Sequence, residues 1–193
     1  METLVRYAFA FAVTLCAGCS FLKPSVDPTT YFVLTATATS APGHAVQRVV
    51  GLEAVRLPEY LDRPQLVTRI APNQLRISDI ERWAEPLGDG LTSTLRHDLA
   101  AALGDANVLV QPGATHVDAD VTVDVVRCER VGADAVELVA RWKLRDGNGN
   151  VQLVKDAHVR LTTARADAQS AVAALSQAVA TLAGEIATAI GNH

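Results

Sequence analysis

The sequence predicts an α+β two-layer sandwich, in which two helices cover one face of a mainly antiparallel sheet. Two segments in the second half alternate apolar and charged side chains, as half-buried strands do. Two other segments repeat apolar residues every three or four positions, as amphipathic helices do. The elements therefore follow in the order strands, helix, strands, helix, which favours an α+β fold with both helices on one side.

Short strands make up the first part of the predicted domain. Their residues are mostly β-branched, aromatic or otherwise apolar, and prolines or polar turn residues separate them. The residues at 35–46 are loop-like in composition. The predicted strands are 31–34 (YFVL), 48–57 (RVVGLEAVRL, which ends before Pro58), 65–70 (QLVTRI) and 75–77, with a turn at Asn73 and Gln74.

Leucines at every fourth position predict the first helix between Trp83 and Gly104. This spacing gives the helix one apolar stripe, and polar residues occupy the positions between. Proline is tolerated in a first helical turn and glycine commonly follows a last one, so Pro86 and Gly104 suit the two ends. The stripe consists of Leu87, Leu91, Leu95, Leu99 and Leu103.

The second half predicts strands joined by a hairpin, followed by a long helix. The polar face of 117–125 carries aspartates and that of 136–145 carries mainly arginine and lysine, so pairing these strands brings opposite charges together. DGNGN at 146–150 is typical of a hairpin turn, and 151–162 returns as the next strand. The last helix has the stripe Val172, Leu175, Val179, Leu182, Ile186 and Ile190, which we expect to pack on the sheet, with a partner-binding seam as the alternative.

Residues 1–18 have the layout of a secretory signal. A head that contains Arg6 is followed by an uncharged apolar run at 7–15, too short to span a membrane, and then by small residues. LCAGC at 15–19 resembles the bacterial lipobox, although Cys16 stands three positions before the final cysteine. The resemblance implies that Cys19 is lipidated and palmitate-bearing, at the start of the mature protein. A plain secretory signal is the alternative.

We therefore expect three regions: a lipoprotein signal peptide at 1–18, a lipid-anchored tether at 19–30 and a single α+β domain at 31–193. The tether contains two prolines and no apolar periodicity. Ser20 follows the predicted anchor, where well-studied lipoproteins retained in the inner membrane carry aspartate. The absence of aspartate at this position favours the outer membrane, with the domain facing the periplasm.

Composition argues against several other classes of protein. The net charge is −4 and there is no basic run, so nucleic acid is not an expected partner. With Cys19 lipidated, Cys128 has no cysteine left for a disulfide and should be a small buried hydrophobe. The histidines lack zinc-site spacing, and DGNGN lacks the glycine and glutamate of a calcium loop, so we expect no metal and no cofactor.

A hydrolase is one alternative function. Ser93, His97 and Asp98 lie close together on the first predicted helix, and a periplasmic hydrolase would use the first two as nucleophile and base. No Gly-x-Ser-x-Gly elbow accompanies them, so we expect an exposed helix face and no enzyme.

The segment between the second strand and the first helix is the most distinctive. VRLPEYLDRPQLVTR (55–69) and NQLRISDIERWAEPL (73–87) resemble the ABC-type transport auxiliary lipoproteins, a family that includes paraquat-inducible protein C. The resemblance extends from YFVL to ALSQAVATLAGEIATAI, over nearly all of 19–190. It implies a component of an Mce-type system that moves lipids between the two membranes, with an Mce substrate-binding protein, a permease and an ATPase as partners.

The family-like residues in this segment form the expected partner-binding surface, although they could instead fix the fold. A homo-oligomer around the transport conduit is also possible. A structural envelope lipoprotein that binds cell wall or other lipoproteins is the remaining alternative function. The candidate residues are Leu57, Pro58, Tyr60, Leu61, Arg63, Pro64, Trp83, Glu85 and Pro86.

Overall fold

The computed structural model describes residues 26–40, 48–104, 106–110, 113 and 116–192, and it confirms the predicted α+β sandwich. The described residues form one mixed sheet of eight strands, with two helices packed together on one face. The strands are β1 Thr30–Phe32, β2 Val49–Leu52, β3 Gln65–Ala71, β4 Gln74–Trp83, β5 Asn107–Val110, β6 Ala119–Val131, β7 Ala135–Asp146 and β8 Val151–Thr162; the helices are α1 Leu87–Ala102 and α2 Ala168–Asn192. The predicted signal peptide and Cys19 lie outside the described residues.

Strand β6 is the one around which the sheet is arranged. Along its length it pairs antiparallel with β7, and β7 pairs antiparallel with β8. Two parallel strands share the opposite edge of β6, with β2 near its start and β3 near its end. The sheet continues through β5 beyond β2, and through β4 and β1 beyond β3. The long pairings are therefore antiparallel, as predicted, and the parallel ones are short.

The two helices bury the apolar stripes that the sequence indicated. All five leucines of the α1 stripe and all six residues of the α2 stripe are buried, and Trp142 of β7 is fully enclosed in the same core. By length and hydropathy α2 could cross a membrane, but 61% of its apolar window is buried inside the domain. The stripe of α2 therefore packs on its own sheet.

The predicted cross-strand charges meet on the face of the sheet that the helices leave uncovered. Asp120 lies opposite Arg145, and Asp124 lies opposite Arg141. This alternation ends at a bulge between Val125 and Arg127, an irregularity that the sequence pattern did not reveal.

Beyond the bulge, the side chains of β6 that face the core are at even-numbered positions, whereas before it they are at odd-numbered positions. Val126 is exposed, and Cys128 is buried in the core. Glu129 now lies directly opposite Glu137 on the uncovered face. Two carboxylates are thus brought together, and they require compensating cations from neighbouring elements.

Several element boundaries differ from the sequence prediction. β2 ends at Leu52, because the following residues stay beside β6 through only a few backbone bonds, among them Glu53 N to Val121 O. β4 continues to Trp83 through an irregular stretch, in which Ser78 Oγ accepts the N–H of Glu81. β5 was missed because a four-residue strand carries too little periodicity.

Candidate functional site

The candidate residues come together where two connecting segments meet. The 57–64 segment joins β2 to β3 and contains a 3-10 turn at Glu59–Leu61. The second segment, 83–86, joins β4 to α1. Trp83 donates its backbone N–H to Pro64 O at 2.6 Å, and Ala84 donates to Phe32 O of β1 at 2.9 Å. The distinctive part of the sequence therefore forms one continuous region.

Two of the candidate residues lie in the core. Leu61 is 2% exposed and Trp83 is 7% exposed. Both line a cavity of about 10 Å³ together with Cys128 of β6 and Leu175 of α2. Leu61 is therefore the inward-facing side chain of the 57–64 segment. These two side chains can hold the region in shape, but they present almost no surface to another molecule.

Leu57 and Glu85 contact the first turns of α1. A Cβ on Gly88 would lie 3.6 Å from Leu57 Cδ1, and a Cβ on Gly90 would lie 3.1 Å from Glu85 Oε1. The glycines therefore allow both side chains to lie close against the helix. Pro86 stands at the N-cap, where it has non-helical dihedral angles.

The remaining candidates form the accessible surface. Glu85, Pro64 and Pro86 are exposed, whereas Pro58, Tyr60 and Arg63 are half-buried. Arg63 donates from Nε to Tyr60 O at 2.8 Å, which ties the turn to itself. Sequence reasoning missed three exposed neighbours of the same region, and only their position between the recognised residues could have indicated them. They are Glu59, Asp62 and Ala84.

Tyr60 connects this region to the uncovered face of the sheet. Its hydroxyl donates a hydrogen bond to the backbone carbonyl of Val126 in β6, at 3.3 Å. Burial, followed by the charge of Glu129, raises the pKa of Tyr60 to about 12. Glu129 in turn accepts a hydrogen bond from Arg69 Nε at 2.5 Å. The phenol is therefore neutral at physiological pH and lies beside the buried ion pair of Arg69 and Glu129.

Ser93, His97 and Asp98 do not form a triad. His97 Nδ1 lies 2.8 Å from the backbone oxygen of Ser93, and its Nε2 lies 2.6 Å from Arg96 Nη2. Asp98 is buried on another side of α1, where Oδ1 accepts the backbone N–H groups of Thr37 and Ala38 at 2.8 Å each. Neither ring nitrogen of His97 is therefore placed to take a proton from the Ser93 hydroxyl.

The other potential reactive groups have structural roles. Burial raises the pKa of the Cys128 thiol to about 12, so it is not a thiolate at neutral pH. Asp146 accepts the backbone N–H groups of Asn148 and Asn150, as in a hairpin turn, and Gly149 has a φ of 83°. Among the described residues, no three His, Cys, Asp or Glu side chains are grouped to hold a metal ion.

Comparison with solved structures defines the class of fold. A crystal structure of an uncharacterized protein shares 24% identity and a TM-score of 0.74, with 84% of this chain and 98% of that chain covered. Protein XCC0632 from Xanthomonas campestris shares 20% identity and a TM-score of 0.70, with 82% and 92% covered. At these identities the likeness shows the fold alone. The comparison with curated proteins found no match.

The family follows from a different comparison. The family model described as "ABC-type transport auxiliary lipoprotein component" matches residues 32–187, which include both connecting segments, α1 and most of α2. The chain belongs to this family. The resemblance found in the sequence is therefore confirmed, and the chain is an auxiliary lipoprotein component of an ABC-type transport system.

Proposed function

We propose that this chain is a non-catalytic docking component of an Mce-type lipid-transport system, held at the outer membrane and facing the periplasm. The observation that carries the proposal is the family match over residues 32–187, since it assigns an auxiliary transport role to nearly the whole domain. Within that role, the chain would contact or cap the Mce conduit, while the permease and ATPase are other chains.

The accessible part of the candidate site suits such docking. Its exposed and half-buried residues lie on a region that Leu61 and Trp83 fix from the core, so the surface is rigid before it meets a partner. A preorganised surface loses little conformational entropy on binding. The partner-binding residues in this proposal are Leu57, Pro58, Tyr60, Arg63, Pro64, Glu85 and Pro86, with Leu61 and Trp83 as their support.

Membrane attachment in this proposal depends on Cys19. Acyl chains on Cys19 would hold the protein by burying methylene groups, and more than one chain is needed for stable anchoring. The proposed 19–30 tether would connect this anchor to β1, which begins at Thr30. Metabolic labelling with a palmitate analogue tests this step, because Cys19→Ala should abolish the label and release the protein from the membrane fraction.

Photo-crosslinking in intact cells tests the docking surface. Probes belong at Glu59, Asp62, Ala84 and Glu85, because these positions are exposed and Trp83 is not. The matched control is Thr181, an exposed position on α2. We expect the four probes, and not the control, to form adducts with an Mce protein that mass spectrometry identifies.

Other adducts would contradict the proposal. Capture of cell-wall fragments or of unrelated lipoproteins by a folded, anchored protein would favour the structural envelope role. Adducts between copies of this chain alone would indicate a self-association surface at these residues. Retained transport in a Ser93→Ala/His97→Ala variant, together with no hydrolysis detected from the wild type, would remove the hydrolase alternative.

A further inference from the structure

The hairpin formed by β3 and β4 carries an unusual set of exposed side chains. Its tip, residues 70–78, reads IAPNQLRIS and contains no acidic residue, and the exposed Asp79 follows it. Ile70 is 38% exposed, Ile77 is 44% exposed and Ile80, just beyond the tip, is 46% exposed. All three aliphatic side chains belong to one hairpin, which can therefore present them to an apolar partner.

Arginines surround these aliphatic side chains. One depression beside the hairpin, of about 400 Å³, is lined by Arg76 and Arg130 together with a single acidic residue, Glu81. A second depression, of about 560 Å³, is lined by Arg69, Arg127 and Arg160, which outnumber its two acidic residues, Asp134 and Glu137. Ile70 borders both depressions. The combination of aliphatic and guanidinium groups matches the boundary between acyl chains and phosphate headgroups.

One of these arginines, Arg160, has donors that are largely unused. In the described part of the chain Arg160 makes no hydrogen bond, and its Nη1 lies 3.7 Å from Glu137 Oε1. The same carboxylate already accepts hydrogen bonds from Arg127 at 2.9 Å and His158 at 2.8 Å. Arg160 therefore has N–H groups available for an anion such as a lipid phosphate.

The direction of β1 brings the tether to this end of the domain. β1 runs parallel to β4, with Thr30 opposite Glu81 and Phe32 opposite Trp83. Its start therefore points toward the end of the sheet where β4 begins, which is the hairpin tip. Residues 19–29 can extend about 36 Å, whereas β4 from Gln74 to Glu81 spans about 23 Å. An anchor at Cys19 is thus close enough to hold the tip against a bilayer.

We propose that the tip of the β3–β4 hairpin rests on the phospholipid surface, with Ile70 and Ile77 in the interface and Arg76 among the headgroup phosphates. This inference depends on the lipid anchor of the proposed function. The contact is interfacial, because the outer edge of β4 before Glu81 has no partner strand among the described residues. Unpaired backbone groups can be hydrated at headgroup depth but not in the hydrocarbon core.

An environment-sensitive fluorophore at the tip tests the contact. The lipid-modified full chain carrying Asn73→Cys is labelled and reconstituted into phosphatidylcholine vesicles that contain phosphatidylglycerol. Asn148→Cys is the matched control, since Asn148 is an exposed turn residue at the opposite end of β7, which is about 40 Å long. Cys128 is 2% exposed and should not be labelled.

We expect the probe at residue 73 to shift to the blue and to be quenched more by a shallow lipid spin label than by a deep one. The probe at residue 148 should report water. Ile70→Gln/Ile77→Gln should lower the signal at 73 to the level at 148, whereas Val151→Gln/Val154→Gln, which alters two exposed valines of β8, should not. Arg76→Glu should weaken the signal only when phosphatidylglycerol is present.

The failures can be told apart. If the labelled protein does not float with vesicles, the lipid anchor is wrong and the hairpin contact is lost with it. If the protein floats but residue 73 reports water, the hairpin contact alone is refuted and the anchor stands. Equal shifts at residues 73 and 148 would also overturn the inference, because the domain would then have no preferred orientation.

Discussion

Replacing Arg69 by methionine should destabilise the domain strongly, because it leaves the Glu129 carboxylate buried without its cation. The Glu129 side chain is 0% exposed, and its Oε1 accepts the Nε–H of Arg69 at 2.5 Å. Its Oε2 has no partner among the described residues, and Glu137 lies directly opposite. Removing one member of a buried ion pair typically costs about 3–5 kcal/mol.

Urea unfolding followed by tryptophan fluorescence measures this effect. Trp83 and Trp142 are the two tryptophans of the chain, and both are buried, so their emission reports loss of the core. In a domain of this size, about 1 kcal/mol corresponds to about 2–4 °C in Tm. Arg69→Met should therefore lower the unfolding free energy measured in urea by about 3–5 kcal/mol, and should lower the Tm in a thermal scan of the same emission by roughly 6–20 °C.

A double variant separates the ion pair from the loss of side-chain packing. Arg69→Met/Glu129→Met removes both charges and should be much more stable than Arg69→Met alone, since no carboxylate is left buried. Arg141→Met is the matched control, because Arg141 and Asp156 form an exposed pair on the same face. A single variant that unfolds like the wild type, or a double variant as unstable as the single one, would refute the reasoning.

Three further predictions concern other parts of the domain. Leu61→Ala should cost about 2–5 kcal/mol of unfolding free energy in the same urea assay, because it leaves a cavity beneath the 57–64 segment. Burial raises the pKa of Asp98 above its ordinary value, so the stability it contributes is present below about pH 3.8 and lost as the pH rises through the folded-state pKa. Asp98→Asn should remove this pH dependence. The unfolding free energy of the variant relative to the wild type should therefore be higher at pH 7 than at pH 4. The Cys128 thiol, with a pKa near 12 against 9.0 when unperturbed, has about a thousandfold less thiolate at pH 8, so iodoacetamide should modify it only in urea.

Each of these three predictions has a control variant or an outcome that would contradict it. Asp62→Ala alters the exposed neighbour of Leu61 and should change the unfolding free energy by less than about 0.5 kcal/mol. An Asp98→Asn variant whose stability relative to wild type is the same at both pH values would contradict the buried carboxylate. Rapid alkylation of Cys128 in the native protein would contradict its burial.

The sequence predicted the elements in which an apolar pattern repeats over many residues. It missed the features that depend on contacts between residues far apart in the chain. The leucine stripe of α1 and the alternation up to Val125 were sufficient to locate a helix and a strand. The bulge after Val125 was not predictable, because an inserted residue changes the face of later side chains without changing their types. β5 was missed because it depends on pairing with β2 more than on its own four residues.

Prediction of the candidate site from sequence was limited in the same way. The family-like residues lie in one region of the fold, but sequence alone could not divide them into core and surface. Leu61 and Arg63 are two positions apart in a turn, yet one fills the core and the other ties the turn to Tyr60. That division requires knowledge of which neighbours each side chain meets.

The same turn explains why residues of the fold and residues of a docking surface are interleaved in the 57–64 segment. β2 and β3 both pair with β6, and the segment between them must pass the bulge of β6. Within this segment Leu61 is buried in the core, whereas Glu59, Asp62 and Pro64 are exposed. Substitutions that alter only the outward side chains can therefore separate partner binding from folding. If they abolish crosslinking to an Mce protein while leaving the urea transition unchanged, the surface serves recognition as well as structure.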